Sequence, residues 1–204
     1  MAVITNWATL KTEIANQLNR TDLTADVPFF VQLAEFRIYR ELRVRQMETA
    51  LNSTMTSGEI AVPSGYLEMK HAYITSTPVT KLERKDAEWV YQNYPTRSSA
   101  GKPQYFAREG GNFIFAPYPD SAYTVRGIFY KQLDLLSDSN TSNWLITDAV
   151  DLIFFASLCE AKPWMQDESR IDVWEAKYQA AKTRVQLQDT AEEFSGSPLA
   201  MSSR

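Results

Sequence analysis

The sequence contains very few of the residues from which enzymes and metal sites are usually built. Of its 204 residues, Cys159 is the only cysteine and His71 the only histidine. One chain can therefore form neither an internal disulfide nor a zinc site with ordinary ligands. A Ser-His-Asp triad would have to use His71, and no Gly-x-Ser-x-Gly turn is present to expose its serine. The seven glycines are scattered and form neither a phosphate-binding loop nor a dinucleotide-binding pattern.

Basic residues and long apolar runs are scarce as well. The net charge of −4 argues against a dedicated nucleic-acid-binding domain, because such domains usually carry a basic excess. The longest apolar run, from Leu152 to Cys159, is too short to span a bilayer. The first residues lack the basic start and apolar run of a signal peptide. We therefore expect a protein that is made in the cytoplasm and has no contact with a membrane.

Apolar periodicity predicts helices at both ends of the chain and strands between them. We expect a helix from Asn6 to about Asn19 and a second from near Asp26 to about Arg45, with Pro28 in its first turn. A short helix is predicted from Leu82 to Tyr94, among strands separated by glycine and proline. Strands are predicted at 49–55, 60–62, 67–76, 104–108, 112–115 and 123–131.

The segment from 143 to 188 predicts two helices that meet at Lys162-Pro163. The first is apolar nearly all round, so it should be buried on every side, and Thr147 or Asp148 should cap it. The second carries a single apolar stripe that leaves its other face in solvent. The stripe consists of Ile171, Trp174, Tyr178, Ala181 and Val185.

These elements predict an α+β fold. A helical bundle is formed by the N- and C-terminal helix pairs, with a β-rich central insertion and an extended C-terminal tail. The expected regions are the first helix pair (1–46), the β-rich insertion with its short helix (47–132), the second helix pair (133–190) and a flexible tail (191–204).

Two groups of side chains are candidates for binding. Arg37, Arg40, Arg43 and Arg45 cluster at the end of the second helix. They could contact nucleic acid or an acidic partner, or they could form a solvated helix face on which Glu35 and Glu41 interleave. The β region also holds more aromatic residues than a small sheet can cover, which suggests contacts with other subunits or with a tail protein. The candidates for that contact are Trp89, Tyr94, Tyr105 and Tyr118.

The remaining polar groups favour structural roles. Alternation from Leu67 to Tyr73 places His71 on one strand face with Met69, where a half-buried, hydrogen-bonded histidine is expected. Acidic pairs such as Asp148/Asp151 and Glu192/Glu193 are typical of helix caps. A carboxylate-dependent glycan hydrolase needs no histidine, so that class of enzyme stays open as an alternative, beside a nucleic-acid-binding module that uses the arginine cluster.

An ordered series of motifs resembles the adaptor, or head-to-tail connector, proteins of tailed bacteriophages, chiefly those of short-tailed phages. Residues 28–42 are similar to the family's second helix, with its Ala34-Glu35-x-Arg37 core. Residues 61–68 and 101–106 are similar to family turns, and Pro117-Tyr118-Pro119-Asp120 matches a proline-x-proline-aspartate turn. Residues 136–145 lead into the apolar helix as they do in the family.

The resemblance implies a structural virion protein without a cofactor. It implies a ring, typically of twelve copies, that assembles beneath the portal in the virion neck. The ring extends the DNA channel, lets DNA pass without specific binding and offers a platform to tail or nozzle proteins. It also implies that the C-terminal segment reaches the portal, with Phe194, Pro198 and Leu199 as apolar anchors.

Overall fold

The computed structural model describes residues 3–55, 57–96, 100–165 and 170–193. These residues form six α-helices and two four-stranded sheets, which confirms the α+β class. The chain divides into two compact units. The helical unit comprises Met1–Gln46 and Asp134–Arg204, and the β unit comprises Met47–Leu133.

In the helical unit, α5 packs against α1, α2, α4 and α6. Helix α5 is apolar nearly all round, which agrees with its position among the other helices. The predicted burial is confirmed for most of its length, although Phe154 and Phe155 are only half-buried. The helices are α1 (Trp7–Leu18), α2 (Val27–Glu41), α4 (Trp144–Thr147), α5 (Val150–Glu160) and α6 (Ile171–Glu193).

Helix ends follow local chemistry where a capping side chain is available. The Asn6 side chain accepts a hydrogen bond from the Thr9 N–H, and the Thr9 hydroxyl accepts one from the Asn6 N–H, so α1 begins with a capping box. The Asn143 side chain caps α4 by accepting a bond from the Leu145 N–H. The predicted cap at Thr147 or Asp148 is wrong, because α5 begins after Ala149 without a side-chain cap.

The apolar stripe of α6 is confirmed at the three positions that decide it. Trp174, Tyr178 and Ala181 are all buried, while Val185 is half-buried and the side chain of Ile171 lies outside the described part of the chain. The steps of four and three residues place these side chains on one face. The stripe therefore directs one side of α6 into the core of the helical unit.

The β unit contains two sheets whose strands are mainly antiparallel. Their orders are β1-β8-β3-β4 and β2-β7-β6-β5, and β5 pairs with β6 in parallel. Gly110, at φ +54°, makes the tight turn between β6 and β7. The elements are β1 (Glu48–Met55), β2 (Glu59–Ala61), β3 (Tyr66–Ile74), β4 (Thr80–Lys81), β5 (Glu83–Arg84), α3 (Ala87–Asn93), β6 (Tyr105–Glu109), β7 (Asn112–Ala116) and β8 (Tyr123–Lys131).

The expected position of His71 is wrong, because β3 is irregular. The pairing of β3 with β8 shifts between Met69 and His71, so the simple alternation of side chains is broken there. Met69 and Ala72 are buried, whereas His71 is exposed and stacks on Tyr73 with ring centroids 6.3 Å apart. The bulge therefore turns the single histidine towards solvent.

Two predicted helix boundaries are also corrected. The helix expected from Leu82 begins only at Ala87, because Glu83 and Arg84 pair with β6 as a strand. Helix α2 ends at Glu41 rather than near Arg45, because Leu42 adopts an extended conformation. Tertiary pairing overrides helix propensity in the first case.

We expect Gly127→Ala to destabilise the β unit by about 1–3 kcal/mol, because extra atoms in a packed interior force the backbone to shift. A Cβ atom at this position of β8 would lie 2.3 Å from the His71 carbonyl oxygen and 3.1 Å from the Ala72 Cα. The measurement is the free energy of unfolding in urea. Gly111→Ala is the matched control, since its added Cβ has no atom within 4 Å other than those of its immediate chain neighbours. Equal stability of the two variants would contradict this packing.

Candidate functional site

A buried carboxylate organises the centre of the helical unit. Glu35 lies on α2, and its side chain is completely shielded from solvent. Its two oxygens accept hydrogen bonds from the Leu136 N–H, both at 3.1 Å, and Oε1 also accepts one from Asn143 Nδ2 at 3.0 Å. Asn143 uses the other end of its amide to cap α4. Glu35 therefore fixes both ends of one segment, residues 136–143, against α2.

The same segment is held a second time by α1. Asp138 Oδ1 accepts bonds from Trp7 Nε1 at 2.9 Å and from Lys11 Nζ at 3.0 Å. The backbone N–H of Trp7 donates to the Thr141 carbonyl at 2.8 Å. We call residues 134–143 the linking segment. Although its sequence is polar and lacks regular structure, its hydrogen bonds to α1 and α2 give it a defined course.

Burial changes the titration of Glu35. Removal from solvent raises the pKa of its carboxyl to about 7, although the bonds from Leu136 and Asn143 act in the opposite direction. The nearby Tyr39 hydroxyl is also buried, and burial together with the charge of Glu35 raises its pKa. No second carboxylate is needed to explain the raised pKa of Glu35. Because the linking segment covers the Glu35 carboxyl, this group has no access to a substrate. We interpret Glu35 as a structural anchor.

Arg37, two residues further along α2, contacts α6 and also pairs with Glu160 of α5 at 3.5 Å. Its guanidinium donates to both carboxylate oxygens of Glu175 at 2.7 and 3.2 Å, and to Glu41 at 3.1 Å. It also lies 4.2 Å from the centre of the Tyr178 ring. A planar guanidinium is suited to this combination of bidentate bonding and stacking. The bonds from Arg37 lower the pKa of Glu175, so the pair stays ionised at neutral pH.

Two further arginines of the predicted cluster are also engaged inside the unit. Arg43 donates to the carbonyl oxygens of Tyr39 and Leu42 at 2.8 and 2.6 Å. Arg45 pairs with Glu192 near the end of α6. Arg40 is exposed and forms no ion pair among residues that the structure describes. The four arginines therefore do not present a continuous basic surface.

The alternative in which Glu35 and Glu41 form a solvated face is wrong for Glu35, which is buried. It fits Glu41 better, because this residue is partly exposed. Glu41 still accepts bonds from Tyr178 and Lys182, both at 2.8 Å. A carboxylate within the apolar positions of α2 was the sequence signal for the anchor, since a core position that carries a charge needs dedicated partners.

The aromatic candidates of the β unit form a half-buried group. The Trp89 and Tyr105 rings pack edge to face with centroids 4.9 Å apart, and the Tyr94 ring lies 6.3 Å from that of Trp89. Tyr118 is also half-buried and lines a small cavity with Tyr94 and Val90. These rings cover an apolar cluster of α3, β6 and β7. Their role in subunit or tail contact stays a prediction.

The other candidates for chemistry are not assembled into a site. Cys159 is buried, and burial raises the pKa of its thiol to about 12. The thiol is therefore protonated at neutral pH. Within the described ranges, no three potential metal ligands are grouped closely enough to hold an ion. The same part of the chain contains no helix with the length and apolar composition needed to cross a membrane.

One open groove, between α5 and α6, contains two carboxylates, Asp151 and Asp172. Asp151 lies 3.6 Å from Arg184, which follows Asp172 by twelve residues on α6. At 1.5 Å per residue, the Cα atoms of Asp172 and Arg184 are about 18 Å apart along the helix. Asp151 is thus paired with a cation near one end of the groove, while Asp172 lies near the other end. Paired hydrolytic carboxylates stand about 5 to 9.5 Å apart and face each other across the scissile bond, an arrangement that these contacts do not favour.

The portal candidates Phe194, Pro198 and Leu199 lie outside the described residues. The last described turn of α6 is bonded to Arg45, which follows the end of α2. Arg45 binds Glu192, and its backbone N–H donates to Asp189 at 2.8 Å. These bonds hold the last described turn of α6 beside Arg45.

Glu35, Arg37, Arg43 and Arg45 all form their described polar contacts within the helical unit. Comparison with models of protein families gives a match to the SU10 adaptor protein family over residues 5–202. The chain belongs to this family, whose members are structural adaptor proteins of bacteriophages. No curated protein gave a significant match. The family assignment confirms the resemblance to phage adaptor proteins that the motifs suggested, and the short-tailed type stays a prediction.

We expect Glu35→Gln to change how stability depends on pH. The folded chain holds the Glu35 proton more tightly than the unfolded chain, so the contribution of this group is complete below about pH 4.5 and is lost as the pH rises through about 7. The loss, on the order of 3 kcal/mol at most, should be absent from the variant. The measurement is the unfolding free energy of both proteins from about pH 5 to about pH 8. Parallel pH profiles would contradict a buried, titrating anchor.

We expect Arg37→Ala to destabilise the helical unit by about 1–3 kcal/mol, because the variant removes the bidentate cationic partner of Glu175 and one of the two cationic partners of Glu41. Arg40→Ala, three residues along the same helix, is the matched control and should stay within about 0.5 kcal/mol of the parent. Thermal unfolding monitored by circular dichroism measures both. An equal effect at the two positions would show that the Arg37 network contributes nothing.

Proposed function

We propose that the chain is a head-to-tail connector that assembles as a ring beneath the portal in the virion neck. The ring, of twelve copies in our proposal, extends the DNA channel and provides the attachment platform for the tail. Short-tailed phages are the type that the motifs favour. The observation that carries the proposal is membership in the adaptor family over nearly the whole chain. Family membership implies portal and tail proteins as partners.

The internal use of charge supports this function. Retention of DNA on a protein surface depends mainly on lysine and arginine contacts to phosphates. Here Arg37, Arg43 and Arg45 are bonded within the helical unit, and the chain as a whole carries a net charge of −4. A channel wall of such subunits would let DNA move without holding it. No described feature favours catalysis or specific nucleic-acid binding instead.

The C-terminal tail is the element that we assign to portal binding. Phe194, Pro198 and Leu199 supply apolar side chains to a segment otherwise rich in small and polar residues. A segment that becomes ordered on docking can cover a large surface, at an entropic cost. The three candidate anchors follow Glu192, which pairs with Arg45.

We expect a chain that ends at Glu193 to keep its fold and lose portal binding. It retains the Arg45–Glu192 pair, so its unfolding temperature should match that of the full chain. Binding is measured by co-sedimentation with purified portal rings. The matched control is the full chain with Ser197→Ala, a change next to the anchors that removes no apolar contact. Unchanged portal binding by the shortened chain would refute the assignment of the tail.

A further inference from the structure

Helix α2 carries an apolar stripe that is separate from its buried face. Phe29, Leu33 and Phe36 follow one another at steps of four and three residues, on the side opposite to Val27, Val31 and Ile38. Phe29 is 47% exposed, and the other two are half-buried. The ring of Trp164, 41% exposed, stands edge-on to Phe29 at 5.9 Å. We call this surface the α2 face.

Helix α6 carries a second stripe as well. Val173, Ala176, Ala180, Thr183 and Leu187 recur at steps of three and four residues, opposite to the buried Trp174, Tyr178 and Ala181. All five are exposed, with Val173 at 54% and Leu187 at 66%. Beside this stripe runs the groove between α5 and α6, in which Phe155 meets Val173, Ala176 and Ala180. We call this surface the α6 face.

The two faces are complementary in size. The α2 face presents large, protruding side chains, while the middle of the α6 face presents the small side chains of Ala176, Ala180 and Thr183 beside the groove between α5 and α6. Large side chains pack into the spaces above small ones when two helices come close. A surface helix with an apolar stripe on its outer side, in addition to its core stripe, is typical of a helix that packs against another element.

The two faces are also complementary in charge. Arg40 follows Phe36 by about one turn at the end of the α2 face, and Asp172 adjoins Val173 at the start of the α6 face. Both are exposed, and neither forms an ion pair within the described ranges. An antiparallel arrangement that joins Arg40 to Asp172 sets Phe36 against Ala176 and Phe29 against Thr183, by residue spacing alone. Size and charge therefore agree on one register.

We propose that the α2 face of one copy of this chain packs antiparallel on the α6 face of the next copy. The inference rests on the proposed ring and names its subunit contact. Because the two faces are different parts of the same chain, the contact is heterologous, and each copy keeps one face of each kind available for a neighbour. A second copy is the occupant that supplies the matching side chains and the matching charge.

Cysteine cross-linking tests this contact in the assembled complex with portal rings. A chain with both Arg40→Cys and Asp172→Cys should form, on mild oxidation, a ladder of covalent multimers that joins many copies. Either single variant should stay monomeric on a non-reducing gel, and an equal mixture of the two should stop at dimers. Cys159 should not interfere, because it is buried and its pKa is raised. Arg40→Cys combined with Gln186→Cys, about 21 Å from Asp172 along α6, is the control and should not cross-link.

A second variant tests the same contact without new thiols. Ala180→Arg places a long cation in the centre of the α6 face, so the number of copies bound per portal should fall, whereas Gln186→Arg should leave it unchanged. Dimers from a single cysteine variant would indicate a contact between identical faces and overturn the proposal. A double variant that fills the portal ring without cross-linking would overturn it while leaving the ring intact. A parent chain that never assembles on the portal would remove the proposed function, and this inference with it.

Discussion

The hydrogen bonds between Glu35 and the linking segment, residues 134–143, are the constraint on which the helical unit depends. A carboxylate in an apolar interior is costly unless its oxygens are satisfied. Here the donors are the Leu136 N–H and the Asn143 side chain, so the position of α2 and the course of residues 134–143 are determined together. Since α5 follows directly after this segment and α4, the anchor also determines where the central helix of the unit begins.

Arg37 performs a corresponding task on the other side of α2. Its bonds to Glu175 and its contact with the Tyr178 ring hold α6 against α2. The Ala34-Glu35-x-Arg37 motif thus contains two charged residues on opposite sides of α2. Glu35 contacts the linking segment, and Arg37 contacts α6. This division explains in physical terms why a motif that resembles an adaptor signature consists of charged residues, although neither side chain is available to a substrate or to DNA.

Periodicity was sufficient to predict the α+β class, the position of α1 and the buried stripe of α6, because these depend on neighbours in the sequence. It failed at His71, where a bulge in β3 reverses the expected face, and at Leu82–Asp86, where pairing with β6 replaces a helix. The role of Glu35 also escaped prediction, because its partners lie about a hundred residues away in the sequence. Long-range partners of this kind leave no local pattern.

Mass measurement under native conditions, with and without purified portal rings, tests the central claim most directly. If the chain is an assembly protein, the complex should have the mass of one portal ring plus a full ring of adaptor copies of matching symmetry. Portal rings that carry either no copy or the full number of copies, with no persistent partly filled complexes, would agree with a closed ring. A chain that stays single beside the portal at every concentration would contradict the account.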